Sequence, residues 1–73
     1  MAEKLVSSST LQSYDYDDKT YTLTVTYKSN GHKWNYFLVY PNLIAQIFES
    51  GGSIGSKFHS MIKSQGYRAV RIQ

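Results

Sequence analysis

The apolar residues of this chain change period at Pro41, and that change fixes the class of fold. Before Pro41 the pattern alternates. In Tyr21-Thr22-Leu23-Thr24-Val25-Thr26-Tyr27, the residues Tyr21, Leu23, Val25 and Tyr27 share one face and the threonines share the other, as a half-buried antiparallel strand requires. Ser29-Asn30-Gly31-His32 carries the Asn-Gly turn signal, and Lys33 to Tyr40 returns as the partner strand with Trp34, Tyr36, Leu38 and Tyr40 on one side. Upstream, Thr10 to Tyr16 forms a further strand that turns through Asp17-Asp18-Lys19. These runs predict a three-stranded meander.

After Pro41 the spacing is helical. Pro41 suits a first helical position, and Leu43, Ile44, Ile47 and Phe48 recur at three and four residues, which predicts a short helix to about Ser50 that Gly51-Gly52 ends. A second helix is expected from Ile54 to Gln65, with Ile54, Phe58, Met61 and Ile62 on one stripe and Gly66 as terminator. The tail Tyr67 to Gln73 alternates again and suits a short strand at a sheet edge. The expectation is an α+β domain: a three-stranded antiparallel meander, two short helices packed on the sheet and a short C-terminal strand, in the order βββααβ. Residues 1–7 read as an N-terminal extension and residues 8–73 as a single domain, near the lower size at which one core suffices without staples.

Composition removes several function classes. The chain has no cysteine, which excludes disulfides and thiolate-bound zinc, and its two histidines are too few for a metal site by themselves. Asp15, Asp17 and Asp18 lack the spacing of a calcium loop and read as turn residues. No run reaches the roughly 20 apolar residues of a membrane helix, and Met1 to Ser9 lacks the regions of a signal peptide, so a cytoplasmic protein is expected. Ser56 and His59 stand three apart with no carboxylate nearby to orient them, and Gly51 to Lys57 lacks the Gly-Lys-Ser/Thr spacing of a P-loop. The expectation is a non-enzymatic protein without metal or cofactor.

The stretch from Gly51 to Phe58 joins a loop of small residues to a helix start with a lysine in its first turn. Unpaired backbone N–H groups and the positive helix end favour a phosphate or carboxylate there, so Gly52, Ser53, Gly55, Ser56 and Lys57 form a candidate anion seat; equally, Ser53 or Ser56 serves as an N-cap and the glycines as a turn between helices. Residues 1–18 sum to −3 in charge and residues 19–73 to +6. A basic carboxyl-terminal half of that kind steers polyanions. Seven tyrosines, three phenylalanines and one tryptophan exceed what so small a core encloses, which leaves rings free to stack on bases or to pack against another subunit. Lys63 and Arg68, with the rings of Trp34, Tyr36 and Tyr67, complete the candidate ligand-binding set.

Several of these runs fit one signature. Ser8-Ser9-Thr10-Leu11 through Tyr16-Asp17, then Leu23, Val25 and Tyr27, then Trp34-Asn35-Tyr36, and finally Ser53, Gly55, Phe58, Ile62 and Lys63 followed by Tyr67, together resemble the KTSC domain over roughly residues 8–67. Trp34 stands where that family has a first tyrosine, one extra residue precedes Pro41, and His59 replaces a preferred asparagine. The resemblance implies a domain that occurs alone in bacterial and phage proteins, acting in the host cytoplasm when phage-encoded, or at the carboxyl end of some lysyl-tRNA synthetases; that attachment implies RNA binding. A small signalling nucleotide, held and sequestered, is an equal expectation for a stand-alone copy. The competing expectation is a protein-interaction or homo-oligomeric assembly module with no nucleotide ligand, since small alternating sheets favour edge pairing and symmetric dimers.

Overall fold

The computed structural model describes residues 3–73. Among them five strands form one antiparallel sheet in the order β1 (Lys4–Leu5), β2 (Leu11–Asp17), β3 (Thr22–Tyr27), β4 (Lys33–Tyr36) and β5 (Ala69–Arg71). Between β4 and β5 the chain forms α1 (Pro41–Ile44), a π-helical turn (Ala45–Glu49), α2 (Ile54–Met61) and a 3-10 turn (Lys63–Gln65). The class is α+β as the periods predict, but the meander has five strands and not three. The strand absent from the sequence reading is β1, within the segment read as an extension: Lys4 pairs with Tyr14 and Leu5 with Ser13, and both β1 residues are exposed, so no apolar alternation marks them.

The helices cover one face of the sheet. Leu11, Tyr14, Leu23, Val25 and Tyr36 project from that face into a core completed by Val39, Ile44, Ile47, Phe58 and Ile62. A bulge sets the phase of β2, since Leu11 pairs with Tyr27 while Ser13 pairs with Thr26. Gln12 is thus the extra residue, which puts Leu11 toward the core and Ser13, two residues on, toward the opposite face. On that open face Glu3 closes a small network. Its carboxylate accepts from Ser13 Oγ at 2.6 Å, Thr26 Oγ1 at 3.0 Å and Lys33 Nζ at 2.6 Å. Those three donors, the Lys33 ammonium foremost, lower the Glu3 pKa from 4.5 to about 2.

Three local expectations give way to packing. The strand expected to reach Tyr40 ends at Tyr36, because Leu38 adopts φ 60° and reverses the alternation: Val39 is fully buried, whereas Leu38 and Tyr40 are 63% and 52% exposed. Tyr21, expected inward beside Leu23, has φ 54°, lies outside β3 and turns its exposed ring edge-on to Tyr40 at 4.8 Å. Left-handed backbone is costly for such side chains and persists only where surroundings over-determine it. Here Val39 supplies that restraint, donating its N–H to Tyr21 O at 2.9 Å while its carbonyl accepts from Tyr16 Oη at 2.6 Å.

Both helices also depart from single α segments. The first is α-helical for one turn and then widens into the π turn, which carries Phe48 flat against Tyr14 with ring centroids 3.8 Å apart. The second breaks at Ile62, whose buried side chain takes φ −117°, and continues as the 3-10 turn to a left-handed Gly66. No helix among the described residues is long and apolar enough to cross a membrane.

Two expectations follow for stability. Val39→Ala should cost about 2 kcal/mol from two lost buried methyls and the space they leave. Leu38→Gly, next door, should leave stability unchanged or higher, since glycine removes the left-handed strain; urea unfolding of both variants checks the contrast. For Glu3, a pKa lowered by folding means a contribution fully present above the unfolded value near 4.5 and lost as pH falls through about 2. The Tm difference between the native protein and Glu3→Gln should therefore be constant at neutral pH and shrink between pH 4.5 and 2.

Candidate functional site

The hairpin of β3 and β4 and the end of α2 meet at one corner of the sheet. Tyr27 and Tyr36 lie on the helix-covered face, with their hydroxyl oxygens 2.8 Å apart. Phe58 of α2 is fully buried and packs edge-on to both, at 6.2 Å from Tyr27 and 5.4 Å from Tyr36. Burial, with the Tyr36 hydrogen bond second, pushes the Tyr27 phenol well above its usual pKa and keeps it neutral.

Two clefts open over these rings. In the first, of about 410 Å³, Tyr27, Trp34 and Tyr36 form an aromatic wall, and Ser29, Asn30 and His32 of the turn form a polar one. The turn stands where the Asn-Gly signal places it but closes as a wider loop: the Tyr27 N–H donates to His32 O, Gly31 has φ 72° and donates its N–H to Tyr27 O, and Asn30 Oδ1 accepts from the His32 N–H at 3.0 Å. Lys63 also lines this cleft, its Nζ 5.6 Å from the Tyr27 ring centroid. Arg71 of β5 pairs across the sheet with Trp34, and its guanidinium Nη1 stands 3.5 Å from His32 Nδ1. The second cleft, of about 360 Å³, lies on the other side of Lys63 and is lined by Thr10, Gly55, Ser56, Phe58 and His59. Among the described residues no carboxylate lines either cleft.

The structure divides the sequence candidates among four places. Trp34, Tyr36 and Lys63 share the first cleft, and Gly55, Ser56 and Lys63 share the second. Gly52 and Ser53 lie in the turn before α2 and Lys57 in its first turns, where the groups expected to face an anion bond to one another. Ser53 caps α2 by accepting from the Ser56 N–H at 3.3 Å, and Lys57 Nζ donates to Ser50 Oγ at 2.9 Å and to the Gly51 carbonyl. Tyr67 and Arg68 line a separate cleft with Leu38 and Gly66. Gly55 has a packing role: a β-carbon there would stand 2.6 Å from Thr10 Oγ1, so the missing side chain lets α2 close against the segment before β2.

Tyr27, Ser29, Asn30, His32 and Arg71 at the first cleft, and Thr10, Phe58 and His59 at the second, are residues that sequence reasoning did not assign to a binding site. Tyr27 reads as a core position of its strand and His32 as a solvated turn residue. The available signal was the strand pairing itself, because a tail strand placed beside β4 brings Arg71 to Trp34.

The family model of the KTSC domain matches residues 7–67. The fold is similar to the crystal structure of a KTSC domain protein from Yersinia pestis, with 28% sequence identity, a TM-score of 0.86, and coverage of 99% of this chain and 97% of that one. No curated protein matches.

Gly55→Ala should destabilise the protein by about 1–3 kcal/mol, as overpacking does in a closed contact. Combining it with Thr10→Ala should recover part of that loss, and a double-mutant cycle in urea reads the coupling. Equal cost with and without the Thr10 hydroxyl would show that Gly55 is not held by this contact.

Proposed function

The chain belongs to the KTSC domain family, and from that premise we propose that it is a cytoplasmic, non-enzymatic binding module for a phosphate-bearing ligand, RNA or a small nucleotide, seated at the Trp34–Lys63 corner. One observation carries the reading: half-exposed Trp34 stands among Lys63, Arg71 and His32 in a cleft that no carboxylate of the described residues lines. Trp34 offers a ring face to a base, and such stacking is worth about 1–3 kcal/mol per base. Lys63 and Arg71 offer charge to phosphate, and Asn30 and Ser29 offer donors and acceptors to a base edge. Ser56 and His59 lie in the adjoining cleft without a carboxylate to orient the imidazole, which supports binding in preference to nucleophilic chemistry.

A second reading rests on a separate observation. Val70 and Ile72 are 45% and 52% exposed at and beyond the β5 edge, which suits pairing with another chain in an assembly module.

A labelled single-stranded RNA titrated at two salt concentrations, with Trp34 emission as a second readout, tests the first reading. Affinity should fall with salt by counterion release. Trp34→Ala should weaken binding by about 1–3 kcal/mol, and Lys63→Glu should weaken it too, whereas Lys19→Glu in the distant β2–β3 turn should change it little. Affinity indifferent to salt and to both site variants, from a protein that scatters light as a dimer, would favour assembly.

A further inference from the structure

Lys63 lines both clefts, and its position has a consequence for the size of the ligand. The clefts are neighbours on one floor, because Phe58 lines the second and packs edge-on against the two tyrosines of the first. Each volume, about 410 and 360 Å³, sits at the small end of the roughly 300–1,000 Å³ that ligand sites occupy. One such space holds one nucleotide unit; the pair holds two. Resting on the proposed binding of a phosphate-bearing ligand, we infer that the two clefts form one site for two nucleotide units, with Lys63 on the phosphodiester that joins them.

The two halves differ in chemistry. The first presents half-exposed Trp34 and takes a base by stacking on it, with Tyr27 under the Lys63 ammonium beside it. In the second, Phe58 is fully buried and gives no free ring face, so the side chains that reach the ligand are Ser56, His59 and Thr10, which hydrogen-bond to sugar, phosphate or base edge. Gly55 and Thr10 line this half in close contact, since a β-carbon on Gly55 would meet the Thr10 side chain. A third unit finds no matching compartment there. Lys63 stands between the halves, and its ammonium donates to oxygens on either side of a bridging phosphate.

The test uses adenosine monophosphate, the linear dinucleotide ApA and the trinucleotide ApApA, read by Trp34 emission and by imidazole NMR signals of His59. Monophosphate carries more charge than ApA, so simple electrostatics favours it. Two joined compartments predict the reverse: ApA should bind about tenfold or more tightly than the monophosphate, and ApApA within about threefold of ApA. The His59 signals should move with ApA and stay with the monophosphate. His59→Ala and Ser56→Ala, both at exposed positions, should weaken ApA selectively, and Lys63→Gln should close the gap between the two ligands. Equal affinity for monophosphate and ApA with a retained Trp34 response, or ApA binding untouched by His59→Ala, would overturn the two-unit site and leave the single-cleft reading standing. Silence of Trp34 and of all NMR signals toward the whole panel would overturn both.

Discussion

Phe58 is the contact through which helix and sheet become one structure. It is fully buried, it is the ring of α2 that enters the sheet, and it meets Tyr27 of β3 and Tyr36 of β4 edge-on. Burial of such a side chain contributes about 1.5–3 kcal/mol, and edge-to-face rings add about 0.5–1.5 kcal/mol each. Its position follows from what lies one turn earlier. Ser53 caps the helix and sets its phase, and Gly55 removes the side chain that would hold α2 away from Thr10. Tyr27 and Tyr36 then line the first cleft and Phe58 the second, so the device that fixes the core also fixes the candidate site.

The distribution of charge along the chain becomes a distribution between faces. Glu3, Asp15 and Asp17 lie on the open face, where Asp15 and Asp17 pair with Thr24 and Thr22 and Glu3 engages Lys33. Lys33 is thereby committed to the acidic side. Lys63 and Arg71 lie at the corner of the other face with Trp34 and the tyrosines. The open face thus carries more acidic than basic side chains among those named, and the Lys63–Arg71 corner the reverse.

What the sequence makes legible are the features set by local chemistry. The change of period at Pro41, the Asn-Gly turn and the Ser53 start of α2 all appear where the residues place them. The failures have a common cause in contacts between distant residues. Leu38 and Tyr40 look inward by alternation, but the hydrogen bonds of Val39 to Tyr21 and Tyr16 reverse them. The β1 strand has no apolar pattern, being held by Glu3 and by pairing with β2. The candidate site shows the same limit: Trp34, Tyr36 and Lys63 were legible as residue types and the β3–β4 hairpin sets Tyr27 and His32 beside them, whereas Arg71 joins only through the pairing of β5 with β4.

The location of the corner follows from an arithmetic of lengths. Five strands at about 4.8 Å spacing make a sheet about 19 Å across, and eight residues of α2 at about 1.5 Å rise span about 12 Å. The first helix is four α-helical residues followed by a five-residue π turn, and it is occupied over Tyr14, on the β2 side, through Phe48. The helical layer therefore cannot roof the whole apolar face. What it leaves uncovered is the end of the β3–β4 hairpin beside β5, where Trp34 remains half-exposed. A large ring packed at the margin of a core and half-exposed keeps part of its dispersion surface open for another flat group. Lys63, just past the end of α2, stands at the same margin because Ile62 must turn inward to finish the core. Aromatic wall and cation are thus brought together by the shortness of the helices, and in this fold a ligand site at that corner needs no added loop or domain.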